Sequence, residues 1–185
     1  MTIPTLHGYQ ISLRPVVRGD IEQLRIWRNS EHVKQFMLSD NDITKEQQLA
    51  WFEHIQRAHN QWHFVIEYRH QAIGSCNIKT RGKAADISTA KHFELGLYIG
   101  EQRYLGNIIA FAPTLLMADY CFSELQAKQL YAVVKPENAA ALRYNEKLGY
   151  AVVHRGDIIE MWLRQSDYEV HSKPLKSLLN RPTRR

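Results

Sequence analysis

The stretch of this sequence richest in potential chemistry runs from Val133 to Tyr150, VVKPENAAALRYNEKLGY. Asn138 follows a β-rich run and is placed to cap a helix. Ala141, Tyr144 and Leu148 then share one helical stripe, which directs the Tyr144 phenol towards the sheet. The small alanines let another group approach the helix start closely. A phenol, with a reference pKa of about 10, is suited to giving a proton to a leaving group. The alternative is a buried tyrosine whose hydroxyl finds a carbonyl. Upstream, Gly100-Glu101-Gln102-Arg103-Tyr104-Leu105-Gly106-Asn107-Ile108-Ile109-Ala110 links an apolar strand to a helix. Consecutive amides and a helix dipole in such a loop bind phosphate without a side-chain cation. An ordinary strand–loop–helix connection is the other reading.

The elements that must position these groups are legible from periodicity. Ile11, Leu13 and Pro15 alternate with polar residues, as in a short edge strand. Asp20 is placed to cap a helix carrying Ile21, Leu24 and Trp27. Thr44 with Gln47 forms a capping-box pattern that opens a helix with Leu49, Phe52 and Ile55. His63 to Tyr68 and Ala72 to Lys79 predict two strands around the turn Arg69-His70-Gln71. A polar segment, Thr80 to Lys91, precedes a central strand, Phe93 to Ile99. Pro113 fits the first turn of a helix with Leu116, Cys121, Phe122 and Leu125 facing inward. Leu130 to Val134 is a strand, Asn138 to Leu148 a helix ended by Gly149, and Ala151 to His154 pairs with Ile158 to Leu163. The order β-α-α-β-β-β-α-β-α-β-β predicts an α/β (α+β) fold: an antiparallel meander, then strand–helix alternation with some parallel pairing, giving a twisted mixed sheet with helices on both faces.

The 185 residues, 44% hydrophobic and 23% charged, suit one domain with a full core. That domain is expected over residues 1–168, with 169–185 as a basic, solvated C-terminal tail containing Lys173, Lys176, Arg181, Arg184 and Arg185. No apolar stretch spans a bilayer, and the N-terminus lacks the layout of a signal peptide. A cytoplasmic location and no membrane partner are therefore expected, as a monomer or homodimer. The net charge of +5 fits nucleic acid or a phosphate-bearing small molecule. Without an RNA-binding aromatic signature, zinc-finger spacing or basic heptads, no nucleic-acid partner is expected. Cys76 and Cys121 lie in apolar runs and read as buried free thiols; no activating base accompanies Cys76. His59 and His63 have helical ligand spacing but lack a zincin's glutamate and fall where a helix should end, so no metal is expected.

Asn138, Ala141, Tyr144, Gly149 and Tyr150 have the spacing of the cofactor-side motif of GNAT acetyltransferases, which the chain resembles. The resemblance implies the GNAT acyl-CoA N-acyltransferase fold with a splayed central strand, acetyl-CoA as co-substrate and no metal. It implies that Leu97, Tyr98 and Ile99 offer free backbone groups to the pantetheine arm, that Asn138 contacts that arm, and that the Tyr144 hydroxyl sits near the sulfur and protonates the leaving thiolate. It further implies a Gln/Arg-x-x-Gly-x-Gly/Ala loop around the pyrophosphate. Arg103, Gly106, Asn107 and Ile108 fill one frame of that loop, with Ile108 in the last small position. Other frames close on Gly106 or Ala110. Glu94, on the strand expected to face the acetyl group, is a candidate acceptor for the amine's proton, directly or through water. The alternative is a strand carboxylate bonded to a basic residue. Asn77 on the neighbouring strand is placed to position the same water, and amides of Leu97 to Ile99 to steady an oxyanion. The mechanism the resemblance implies is direct attack within a ternary complex, without a covalent acyl-enzyme.

The front third should build the acceptor pocket. Trp27-Arg28-Asn29, Phe36-Met37, Ile43, Leu49 and Trp51-Phe52 resemble the GNAT subfamily that acetylates UDP-linked 4-amino-4,6-dideoxy sugars in the pseudaminic acid pathway. Gln48 stands at that subfamily's histidine position. Trp27, Arg28, Asn29, Met37, Gln48 and Trp51 are the candidate acceptor-binding residues, with Arg28 for phosphates and the aromatics for flat faces. The alternative is that both tryptophans are core and Arg28 is surface. A protein N-terminus, as for ribosomal-protein alanine acetyltransferases, is another acceptor, and a non-catalytic CoA- or nucleotide-binding module is a reading of a different class.

Overall fold

The computed structural model describes residues 2–82 and 86–181. Its sheet has eight strands: β1 (Leu6–Gly8), β2 (Ile11–Pro15), β3 (Gln61–Tyr68), β4 (Gln71–Thr80), β5 (His92–Ile99), β6 (Gln129–Val134), β7 (Ala151–Arg155) and β8 (Ile159–Leu163), in the order β1-β2-β3-β4-β5-β6-β8-β7. The helices are α1 (Ile21–Asn29), α2 (Glu31–Lys34), α3 (Lys45–Arg57), α4 (Ala112–Ser123), α5 (Ala139–Lys147) and α6 (Gln165–Leu179). Strands β1 to β5 pair antiparallel in sequence, β5 with β6 is parallel, and β6-β8-β7 is antiparallel again. The mixed sheet with helices on both faces is the architecture expected from the order of elements.

Period-2 alternation divides the core between the two faces. On β3, Val65 faces one side with Leu24, Trp27 and Ile55 from α1 and α3. Phe64 and Ile66 face the other, with Leu115, Met117 and Cys121 of α4. The Thr44–Gln47 capping box forms, with Gln47 N donating to Thr44 Oγ1 at 3.2 Å and Thr44 N donating to Gln47 Oε1 at 2.9 Å. Gly149 ends α5 at φ +98°, a left-handed value that suits glycine.

Three local expectations are corrected. Asp20 does not cap α1; its carboxylate accepts from Val17 N at 2.8 Å and pairs with Arg14 at 2.7 Å. The strand at Ile11–Pro15 is not an edge, because Leu6–Gly8 pairs outside it. The supposed tail is largely helix. In α6, Tyr168, Ser172, Leu175 and Leu179 are buried, a 4-3-4 spacing that lays one stripe on the core. Asp119 of α4 anchors it, accepting from Lys176 Nζ at 2.6 Å, from Tyr168 Oη at 2.7 Å and from Tyr9 Oη. Lys173 and Lys176 therefore belong to a docked helix, whereas Arg184 and Arg185 lie outside the described residues.

Candidate active site

The central irregularity of the sheet lies between β5 and β6. Their ladder has only the pairs His92↔Gln129, Phe93↔Leu130 and Glu94↔Tyr131. Beyond Glu94, β5 stays paired to β4 as far as Ile99, and beyond Tyr131, β6 stays paired to β8. The facing edges, residues 95–99 and 132–134, bear no ladder to each other. Backbone groups left so must find another partner. A cleft of about 1030 Å³ opens there and continues towards the loop between α2 and α3.

One end of the cleft is built from the loop after β5 and the start of α5. Gly106 (φ +73°), Asn107, Ala110 and Phe111 line it, with Asn138 and Ala141 opposite. Asn107 Oδ1 accepts from Ile109 N at 3.0 Å, and Asn138 Oδ1 accepts from Ala141 N at 3.0 Å. The side-chain oxygens of both asparagines thus shape local turns. Lys135, Arg143 and Lys147 also line the cleft and give this half a positive field suited to phosphates. The predicted Arg103 and Ile108 do not line it. Arg103 donates to Gln71 Oε1 at 2.7 Å and lies over the Tyr104 ring, while Ile108 is 38% exposed. Gly106 and Ala110, which closed two alternative loop frames, both line the cleft.

At the other end, Glu94 sits on the last rung of the ladder. It accepts from Arg81 Nη1 at 3.2 Å, and Arg81 also binds Glu160 at 3.0 Å. Glu94 is thus an ion-paired carboxylate that still lines the cleft. Asn77 pairs with Gly96 across β4–β5 and lays its amide against that glycine. His63, opposite Asn77 in the β3–β4 ladder, is a site residue that the sequence offers only as a strand start and a dismissed metal ligand. It lines the cleft, contacts Trp51 edge-on and shares a 2.9 Å hydrogen bond with Gln61. Burial, with smaller contributions from nearby Lys79 and His54, lowers its pKa to about 3. It is therefore a neutral imidazole at physiological pH.

The other half of the cleft is lined by Arg28, Met37, Gln48 and Trp51, together with residues at the foot of α3. Gln48 is buried with only 6% exposed. Arg28 Nη2 donates to Ser39 O at 2.6 Å, while its Nη1 is buried without a partner among the described residues. Burial lowers the Arg28 pKa. Trp27 and Asn29 do not line the cleft. Trp27 is core, packed on Leu24, Val65 and the backbone of Gly100. Asn29 brackets Ile43, donating to its carbonyl at 2.9 Å and accepting from its amide at 2.8 Å. Both residues hold the pocket wall from behind.

Tyr144 lines the cleft between its two ends. Its hydroxyl donates to Ala110 O at 2.9 Å and accepts from Thr114 Oγ1 at 2.7 Å. Its ring stacks on Phe111 at 4.5 Å. This geometry matches the alternative in which the phenol finds a carbonyl. Tyr98, whose backbone edges the slot, turns its side chain towards Leu24. Cys76 and Cys121 are fully buried, and burial pushes both thiols up in pKa, which removes them as nucleophiles.

The splayed strands, the phosphate-suited loop and the capped helix beside it form the geometry expected of an acyl-CoA site. The family model for the acetyltransferase (GNAT) domain matches residues 10–151. The chain is a GNAT acetyltransferase. It uses acetyl-CoA as donor and an amine as acceptor. Its fold is shared with solved structures of low sequence identity. Spermidine N-acetyltransferase from Vibrio cholerae, solved with CoA and spermine, has a TM-score of 0.74 at 19% identity over 88% of this chain and 99% of its own. The Campylobacter jejuni N-acetyltransferase PseH has a TM-score of 0.63 at 19% identity over 84% and 99%. RimJ of Mycobacterium smegmatis, in complex with CoA-disulfide, has 0.71 at 17% over 92% of each chain. No curated protein matches the sequence. Among the described residues, no cluster of three or more metal-ligating side chains occurs and no helix is long and apolar enough to cross a membrane.

The cleft fits the donor by chemistry. Unladdered backbone along residues 95–99 is suited to an amide-bearing arm, and the cationic mouth to its phosphates. Acetyl-CoA supplies an activated acyl carbon; the protein's residues hold it and manage protons.

Proposed function

We propose that the acetyltransferase acts on an amine carried by an anionic small molecule, a UDP-linked 4-amino-6-deoxy sugar. One observation carries this reading: the buried Nη1 of Arg28, a cleft-lining residue, has no hydrogen-bond partner among the described residues. A buried unpaired donor is costly unless a ligand satisfies it, and a guanidinium is best satisfied by phosphate or carboxylate oxygen. Trp51 and Met37 add flat and apolar surface for a base or sugar. PseH among the fold neighbours accords with the front-third resemblance. A polyamine acceptor, as named for the Vibrio cholerae neighbour, would seek free carboxylates. The two that line this cleft are engaged, Asp42 with Lys34 at 2.9 Å and Glu94 with Arg81.

The roles follow from position. Glu94, directly or through a water held by Asn77, accepts the proton the amine must lose. Amides of the Leu97–Ile99 edge steady the oxyanion as the amine adds to the thioester carbonyl. Asn138 and Ala141 form the wall against the pantetheine arm, and Gly106 and Asn107 the cradle for the pyrophosphate. The test is thiol release from acetyl-CoA with a UDP-4-amino sugar, a ribosomal N-terminal peptide and spermidine. The expected result is turnover with the sugar nucleotide, and a rise of about 10-fold or more in its KM in Arg28→Met, with the KM of acetyl-CoA retained. Preference for peptide or spermidine, with Arg28→Met neutral, would refute the anionic acceptor.

A further inference from the structure

The splayed slot contains a second phenol, whose ring belongs to the core but whose hydroxyl the core does not use. Tyr150 follows Gly149 at the turn from α5 into β7 and is only 4% exposed. Its backbone N–H is bonded to Asn145 O at 3.1 Å. Its hydroxyl has no hydrogen-bond partner among the described residues, yet the side chain lines the cleft. Buried tyrosine hydroxyls ordinarily find a partner. One that opens into a substrate slot without one is waiting for the substrate to provide it.

Position within the slot distinguishes the two tyrosines. Tyr144 is pinned by Ala110 O and Thr114 at the start of α4, on the phosphate side. Its single proton is already given to a carbonyl. Tyr150 directly precedes Ala151, which shares a row across the sheet with Trp162, Tyr131 and Glu94, the carboxylate at the closed apex of the β5–β6 ladder, and both Tyr150 and Glu94 line the cleft. From Glu94 to Ile99 the strand runs about 16 Å, so an arm entering from the phosphate loop brings its acyl end to the apex. We propose that Tyr150, not Tyr144, gives the proton to the departing thiolate. This rests on the reading that the pantetheine arm occupies the slot.

The step balances without further reagents. The amine nitrogen bonds to the thioester carbon, the C–S bond breaks, and the sulfur takes the Tyr150 phenolic proton. The proton released by the new ammonium, accepted at Glu94 or its water, returns to the Tyr150 oxygen. Asn145, on the same wall and 9% exposed, has a side-chain amide with no hydrogen-bond partner among the described residues and is free to hold the arm in register. Burial pushes the Tyr150 pKa up, so the phenol is protonated and ready at any working pH.

The experiment compares wild type with Tyr150→Phe and with a fluorinated tyrosine at position 150, using whichever amine the wild type acetylates. In Tyr150→Phe, kcat should fall about 10²-fold or more, while the KM of acetyl-CoA and the Kd of CoA stay within about threefold. Tm should hold or rise, because no protein hydrogen bond is lost. The fluorinated residue, which keeps the hydroxyl, should restore most of the activity that Tyr150→Phe loses. A kcat within threefold of wild type would overturn the assignment, as would a loss of kcat accompanied by a fall in Tm. A fluorinated residue as slow as Tyr150→Phe would also overturn it. Wild type that releases no thiol with any amine would instead overturn the functional reading.

Discussion

Replacing Tyr144 by Phe separates a structural hydroxyl from a catalytic one. The ring stays stacked on Phe111, since the 4.5 Å, nearly parallel contact does not involve oxygen. What disappears is the bond to Ala110 O at 2.9 Å and the bond from Thr114 Oγ1 at 2.7 Å. Both partners lie at the beginning of α4, 30 or more residues away in sequence, so the hydroxyl ties α5 to α4 across the cleft wall. Two net hydrogen bonds at about 0.5–1.5 kcal/mol each, with some of Ala110 and Thr114 left dry, predict a loss of about 1–3 kcal/mol. For a chain of this size that corresponds to a Tm lower by about 2–12 °C, taking roughly 2–4 °C per kcal/mol. Thermal unfolding and steady-state kinetics on one preparation measure both sides. The expected outcome is a clear Tm loss with a kcat defect much smaller than that of Tyr150→Phe. An unchanged Tm with kcat reduced by more than about 10² would refute the reasoning and restore Tyr144 as the proton donor.

Two further perturbations follow from the same geometry. Glu94→Gln keeps the shape and removes the proton acceptor, so kcat should fall by about 10²–10³ with the KM of acetyl-CoA nearly constant; full activity would exclude Glu94. His63 is held near pKa 3 by burial, against about 6.5 in the unfolded chain. Between those values the unfolded state binds a proton that the folded state does not, so stability is complete above about pH 6.5 and declines as pH falls. At pH 5 the loss is about 2 kcal/mol. His63→Gln should remove that component, seen as a smaller shift of the urea midpoint between pH 7.5 and pH 5, whereas an identical shift would place His63 in contact with solvent.

Local rules carried much of the fold. The capping box at Thr44, the cap at Asn138 and the stop at Gly149 depend on residues within a few positions of one another, so they read directly from the chain. Asp20 was misread because its carboxylate has a stronger partner in Arg14 of the adjacent strand. The α6 stripe, Tyr168-Ser172-Leu175-Leu179, was present as periodicity but masked by lysines and by Pro174. Within the site, the slot between β5 and β6 follows from the resemblance carried by Asn138, Ala141, Tyr144, Gly149 and Tyr150. Which phenol is free does not. That depends on Thr114 and Ala110, residues that only the packing of α4 against α5 brings to Tyr144. Trp27 and Asn29 enter the acceptor set through the resemblance of the whole Trp27-Arg28-Asn29 element. The helix turns only Arg28 of the three into the cleft, since successive helical residues point about 100° apart.

Amide hydrogen exchange with and without acetyl-CoA addresses the slot itself. Residues 95–99 and 132–134 lack mutual ladder bonds, so donor binding should slow exchange of their facing amides and of the Gly106–Ile108 loop, while the interior of β3 remains unchanged. Tight binding of acetyl-CoA that leaves those segments exchanging as before would mean the donor lies elsewhere.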